Sequence, residues 1–217
     1  DQIGLMTDGH YGNATALLAE TKARMGPLLR VQADAARVSV VTGFFGLSPE
    51  GKTATFGRGG SDYTAAVVAH AVGLRTIEIW KDVDGFMSAD PKIVAEAFPL
   101  SELSYADAAE LSYFGAKVLH PRAVQPARAC GASLFLKNIY RSEALGTRIG
   151  PDPMDRSGDV KSVSYVRDLA TLKVYATGLG SEEVLLSQSS GILANEGVSI
   201  YGAATSQTCV AFLVESD

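Results

Sequence analysis

The sequence predicts an α/β fold with a mostly parallel sheet sandwiched by helices, followed by a smaller, partial ferredoxin-like module of the α+β class. Three observations predict it. Helical stretches opened by capping signals alternate with short runs of β-branched and aromatic residues, the pattern of a parallel sheet built by crossovers. A span from Gly146 to Gly158, rich in Gly, Pro, Asp and Arg and lacking periodicity, divides the chain. Beyond it the pattern runs strand, helix, strand, strand, which is part of the split β-α-β unit. The expected organisation is residues 1–150, a linker at 151–159 and a tail at 160–217.

Composition bounds what such a chain does. With 217 residues, 47% hydrophobic and 20% charged, it can bury the core of one domain or two. A net charge of −5 argues against a nucleic-acid binder, which needs clustered Lys and Arg for phosphates. No apolar run approaches the roughly 20 residues of a membrane span. Asp1-Gln2 leads straight into globular sequence, so no signal peptide is expected. Cys130 and Cys209 lie far apart and suggest neither a disulfide framework nor a zinc site. A reducing cytoplasm is the expected location. His10, His70 and His120 have no second ligand at metal-binding spacing, so no protein-built metal site is expected and His120 reads as structural.

Taken in order, Ile3–Met6 reads as a short strand ending at Thr7-Asp8-Gly9. A helix follows from about Asn13, with Leu17, Leu18 and Met25 on its apolar side and Gly26-Pro27 closing it. Val38-Ser39-Val40-Val41 reads as a buried strand, because it is short, apolar and β-branched. Gly46 to Thr53 then matches the P-loop pattern G-x-x-x-x-G-K-T. That pattern carries meaning only where its lysine opens a helix. Here Ala54-Thr55-Phe56 and three glycines follow, so Ser48-Pro49-Glu50-Gly51 reads instead as a reverse turn between two strands.

Gly57-Arg58-Gly59-Gly60-Ser61-Asp62 is the densest chemistry in the chain. Glycine permits positive φ and close approach to a ligand. Ser61 and Asp62 are favoured N-caps for the helix that follows, and Ala65, Val68, Ala69 and Val72 give it an apolar face. A helix N-terminus receives anions, and the Arg58 fork grips a carboxylate in two places. A glycine loop with a helix cap would use the same letters. Gly73 stops the helix, and Arg75–Trp80 alternates as a strand. Parallel sheets bind ligands beyond the carboxyl ends of their strands, so the loops leaving Val41 and Trp80 are expected to be functional. The second, Lys81 to Lys92, mixes acids and bases that suit nucleotide phosphates with magnesium, or a solvated loop.

Ser104-Tyr105-Ala106-Asp107 has capping-box spacing and opens a helix that Gly115 interrupts. Lys117 stands among Ala116, Val118 and Leu119, as a snorkelling lysine or a phosphate ligand. His120-Pro121 starts a further helix, and Leu134-Phe135-Leu136 is the next strand. In the tail, Leu172–Tyr175 is a strand, Gly178-Leu179-Gly180 a turn, and Val184, Leu185, Gln188, Ile192 and Leu193 a helix face. Val198–Tyr201 and Cys209–Val214 are the closing strands.

Four blocks together resemble the aspartate kinases of the amino-acid kinase superfamily: Thr42 to Gly46, Gly57 to Asp62, Lys81 to Pro91, and Phe114 to Pro121. The Asp-Val-Asp-Gly loop is shared across that superfamily, whereas Arg-Gly-Gly-Ser-Asp with Phe-Gly-Ala-Lys-Val-Leu-His-Pro is narrower. The resemblance implies an amino-acid kinase-like fold and ATP-dependent phosphorylation of the L-aspartate side chain, with Mg²⁺ on the nucleotide. It implies that Arg58, Gly60 and Ser61 hold aspartate and that Asp62 organises the cations, with Asp62 and Lys117 catalytic. Lys81, Asp82, Gly85, Asp90, Lys92, Lys117 and Val118 would line the nucleotide site. The tail is similar to an ACT domain, which implies a homodimer or higher oligomer. An effector such as lysine or threonine would sit near Gly178, Leu179, Gly180, Val198, Ser199 and Ile200. The family's Lys-Phe-Gly-Gly-Thr-Ser block is not in this sequence, so residues 1–150 correspond to a C-terminal portion of the kinase domain, expected to be inactive alone. The same residues resemble the kinase half of aspartate kinase–homoserine dehydrogenases. A non-catalytic amino-acid-binding module is the alternative from another class.

Overall fold

The computed structural model describes residues 4–35, 37–116, 118–151, 160–175 and 182–216. Ile3, Lys117, Gly178, Leu179, Gly180 and the linker at 152–159 lie outside the described residues. The chain divides into two compact units, Asp1–Tyr165 and Val166–Asp217. Among the described residues no helix is long and apolar enough to cross a membrane.

The first unit opens differently from the expected strand and helix. Among the described residues Met6 and Thr7 make single bridges, to Leu47 and Ala16. Helix α1 spans Leu18–Asp34, starting later than Asn13 and running through Gly26-Pro27. Residues 14–17 are committed elsewhere: Ala14 N–H donates to the Thr55 carbonyl and Leu17 N–H to that of Met6. Gly26 is a contact point, not a stop, because a Cβ there would lie 2.8 Å from the Ala71 carbonyl oxygen. Val38–Val41 is not a buried strand. Val38 and Val40 are 94% and 92% exposed, and no described strand pairs with the run. β-branched composition favours extension, but only a neighbouring strand turns extension into a buried element.

Strands β1 (Phe45–Leu47) and β2 (Thr53–Thr55) form an antiparallel hairpin, closed by Ser48 N–H to the Lys52 carbonyl. The P-loop lettering is therefore a turn. Helix α2 spans Gly60–Val72 and ends at Gly73, whose φ is 81°. It is buried on two sides, which overturns the single apolar face. Tyr63, Val67 and Ala71 join a core with Leu5, Met25 and Phe56, while Ala66 and Ala69 join the core under the sheet.

That sheet contains β3 (Thr76–Lys81), β4 (Glu102–Ser104), β5 (Ser133–Asn138) and β6 (Thr147–Gly150), in the order β3-β5-β6-β4. Pairs β3–β5 and β4–β6 are parallel and β5–β6 antiparallel, so the sheet is mixed with parallel pairs in the majority. Helix α3 (Tyr105–Tyr113) starts with the full capping box of Ser104 and Asp107. A 3-10 turn at Pro121–Ala123 leads into α4 (Val124–Cys130). Ile77, Ile79, Leu134, Leu136 and Ile149 point from the sheet to alanines of α2, α3 and α4. Along the other face runs Glu78, held by Lys137 at 2.8 Å.

Residues 160–165, expected with the tail, pack on the first unit. Val163 N–H donates to the Ser88 carbonyl, Ser162 Oγ to that of Met87 at 2.8 Å, and Tyr165 Oη to Asp90 Oδ2 at 3.1 Å. The second unit is β7 (Leu169–Tyr175), α5 (Glu182–Asn195), β8 (Ile200–Ser206) and β9 (Cys209–Glu215), an antiparallel sheet in the order β7-β9-β8. Leu185 and Leu193 of α5 pack on Val210 and Phe212, but Val184 and Ile192 are exposed, so the expected face is only partly apolar contact.

One buried hydroxyl fixes the loop after β3. Thr147 Oγ1 accepts from Phe86 N–H at 2.9 Å and donates to the Leu100 carbonyl at 2.7 Å, with no exposure to solvent. Thr147→Val keeps the shape and leaves that N–H unpaired, a cost of about 1–3 kcal/mol. Thermal denaturation should register it at ~2–4 °C per kcal/mol. Thr147→Ser should melt close to the parent. A valine variant with unchanged melting would show that the hydroxyl carries no weight in the loop.

Candidate active site

The site forms at the N-terminus of α2. The residue before the helix is Gly59, in the left-handed region at φ 74°, and no side chain caps the helix. Ser61 and Asp62 are thus first-turn residues rather than caps, which corrects the sequence reading. Neither side-chain oxygen is spent on capping the helix's own N–H groups. Ser61 is exposed, and Asp62 is nearly covered.

Asp62 is the hub. Its Oδ2 accepts from Lys81 Nζ at 2.7 Å and from the His120 backbone N–H at 3.3 Å. Lys81 is the last residue of β3, so strand geometry aims it from the sheet's carboxyl end toward the helix. The resemblance implied Lys81 at the nucleotide site and Asp62 as the acid that organises the cations, and here one ion pair joins them. Its side chains are 26% and 13% exposed, which shields it from the screening that weakens surface pairs.

Close backbone approach brings the other blocks in. A Cβ on Gly60 would lie 2.9 Å from Phe56 Cβ and 3.1 Å from Phe44 Cδ2. Phe44 itself has φ 83°, a strained value for a side chain of its size, and its N–H donates to Thr64 Oγ1 at 3.0 Å. On the far side a Cβ on Gly59 would sit 2.6 Å from His120 Cδ2. The His120 Nδ1 accepts from the Arg122 N–H at 3.3 Å. Burial, and then the Arg122 charge, push the His120 pKa down, which keeps the ring neutral and able to accept.

The remaining candidates separate. Arg58 is exposed and makes no hydrogen bond or ion pair among the described residues, and the same holds for the exposed Asp82. Gly85 is buried against Thr147, where a Cβ would collide, so its place follows from packing. Asp90 shapes a turn, accepting Lys92 N–H on Oδ1 at 2.9 Å, and the Lys92 side chain is exposed. Val118 packs against the core under the sheet. In the second unit, Val198 and Ile200 pack on the small core and Ser199 is exposed. Sequence reasoning missed Phe44, Thr64 and Arg122; the positive φ of Phe44 leaves no trace in its letter. Among the described residues no group of three or more His, Cys, Asp or Glu gathers for a metal. The arrangement presents cations and N–H groups, which suits anionic ligands.

This geometry has relatives. The chain is 34% identical over 215 residues to chloroplastic aspartokinase 3 of Arabidopsis thaliana, covering 99% of this chain and 38% of that protein. It is 35% identical to an aspartokinase of Thermus thermophilus, covering 92% of this chain and 47% of that one. A bifunctional aspartokinase/homoserine dehydrogenase of Zea mays is 37% identical over 82% of this chain and 20% of its own length. The chain therefore spans between a fifth and about half the length of these relatives. Aspartokinase III of E. coli, crystallised with aspartate and ADP, superposes with a TM-score of 0.86 at 29% identity, over 100% of this chain and 48% of that one. The model of the amino acid kinase family matches residues 5–138, and the chain belongs to that family.

Proposed function

We propose that this chain is part of an aspartate kinase, which transfers the terminal phosphoryl group of ATP to the side-chain carboxylate of L-aspartate. The observation that carries the reading is the Lys81–Asp62 ion pair, which links the glycine loop to the strand end beside the nucleotide loop. The likeness to aspartokinases across the chain supports it.

The reaction joins two anions, so the protein must offset repulsion. Two unit charges 4 Å apart interact by about 1 kcal/mol in water and about 4 kcal/mol at an effective dielectric of 20. Partly covered cations therefore do far more here than exposed ones. Arg58, unpaired and forked, takes an aspartate carboxylate, with Ser61 and the Gly60 backbone beside it. A side-chain oxygen of aspartate attacks the terminal phosphorus; the bond to the bridging oxygen breaks and ADP leaves with its electrons. Asp62 holds Lys81 in one rotamer, so that its ammonium lies ready for charge spreading over the phosphoryl oxygens. Lys117 is assigned to the phosphates as well. Mg²⁺ bound with the nucleotide would take phosphate oxygens together with the exposed Asp82 carboxylate, and would neutralise nucleotide charge.

For the second unit we propose an ACT-like sensor of lysine or threonine that pairs with a second copy. Its three-stranded sheet has few covered residues and two edges, β7 and β8. The free Cys130 and Cys209 suit a reducing compartment, and the cytoplasm is the proposed one. The relation to bifunctional relatives favours a second reading, in which the intact protein also acts on homoserine.

Three assays on the full-length protein test these readings. Hydroxylamine trapping should detect an acyl phosphate that needs both ATP and aspartate. Homoserine-dependent reduction of a nicotinamide cofactor separates the bifunctional reading, and calorimetry with lysine and threonine tests the sensor. Aspartate binding without any trapped product would leave a binding module instead.

Asp62→Asn should lower kcat far more than it raises either KM, since the pair with Lys81 matters most as charge develops. Steady-state kinetics giving near-normal kcat would remove Asp62 from the chemistry. Arg58→Lys keeps the charge and loses the fork. The KM for aspartate should rise about tenfold, ~1.4 kcal/mol, while the KM for ATP holds. A matching loss for ATP would move Arg58 to the nucleotide side.

A further inference from the structure

Arg122 makes more bonds than a three-residue turn requires. Its guanidinium donates to Asn13 Oδ1 at 2.8 Å, to the Ala14 carbonyl at 2.9 Å and to Thr15 Oγ1 at 2.6 Å. It lies 5.0 Å from the ring centre of Tyr63, in the first turn of α2, and the Tyr63 hydroxyl accepts the Ala16 N–H at 3.1 Å. Its own N–H donates to the imidazole that packs on Gly59. One side chain, itself more than 100 positions from residues 13–15, thus ties them to the start of α2.

The tied segment stands behind the glycine loop. A Cβ on Gly57 would lie 2.9 Å from the Gly12 carbonyl oxygen, and Ala14 N–H donates to the Thr55 carbonyl at 2.9 Å. Gly57, the residue before Arg58, therefore has Gly12 and Asn13 at its back. Arg58 has no bond of its own to fix its direction among the described residues. Two of the three Arg122 acceptors belong to the exposed side chains of Asn13 and Thr15, which water would satisfy equally well. Burial does not demand those bonds. A planar fork meets these three acceptors from two nitrogens in one fixed geometry, whereas a lysine offers its three donors from a single point on a flexible stem.

We propose that Arg122 is a positioning residue for the acceptor side of the site: it braces residues 12–15 behind Gly57-Arg58, so that Arg58 presents its fork to the acceptor carboxylate in one direction. This rests on the reading of residues 57–62 as the acceptor site. Misdirected binding groups lose ground-state affinity and orientation without touching the nucleotide.

The test uses the full-length protein with Arg122→Ala and Arg122→Lys. Arg122→Ala should raise the KM for aspartate about tenfold, with kcat and the KM for ATP within about twofold, and Arg122→Lys should fall between it and the parent. Amide exchange should quicken at Ala14, Ala16 and Gly57 to Ser61 and stay unchanged in α3. An unchanged KM for aspartate overturns the proposal, as does an equal rise in both KM values. If the parent does not phosphorylate aspartate, the reading of the site fails, while exchange still decides the brace. Faster exchange confined to these loops keeps it, and unchanged or uniformly faster exchange ends it.

Discussion

Everything at the site depends on one backbone constraint, the left-handed Gly59 that opens α2 without a side-chain cap. A capping serine or aspartate there would spend its oxygen on the helix's own N–H groups. With glycine in that place, no side-chain oxygen is spent on the first turn, and Asp62 turns its carboxylate to Lys81 and His120 instead. The same missing Cβ makes room for His120, whose ring would overlap any larger residue. His120 in turn brings its backbone N–H to Asp62, and Asp62 fixes Lys81. The chain of dependence thus runs from one φ angle to the placement of a charge.

The site was legible where it is written in backbone-limited residues. Three glycines in four positions and a capping box at Ser104 are local signals, and local physics decides them. The false P-loop was readable for the same reason, because the residues after Lys52 forbid a helix. What escaped was set by neighbours. Val38–Val41 has the composition of a strand, yet nothing among the described residues pairs with it. Strands β4 and β6 are three and four residues long, below what periodicity resolves, and exist because the sheet recruits them. The apolar face of α2 was misjudged because a helix packed on two sides shows no single stripe.

Lys81 shows how a site residue hides in a strand pattern. Alternation marks it only as the polar end of Thr76-Ile77-Glu78-Ile79-Trp80-Lys81, and the residue it meets lies 19 positions earlier. A short turn after α2 folds β3 back along the helix, which puts the end of β3 beside the start of α2, and no local rule announces the pair. Arg122 is the stronger case, since its partners lie over 100 residues away. Such long-range contacts make the site specific, and a single sequence does not spell them.

The segment at 160–165 sets where the first unit can be cut. It follows the Gly-Pro-rich divide, yet it hydrogen-bonds to Met87, Ser88 and Asp90, and Lys161 pairs with Asp107 at 2.8 Å. Gly115 is bare where the Tyr165 carbonyl presses on it. Composition therefore marks a border about ten residues ahead of the mechanical one. A protease or an engineer cutting at residue 150 would release the strip that steadies the loop after β3, and a cut after 165 would leave it attached.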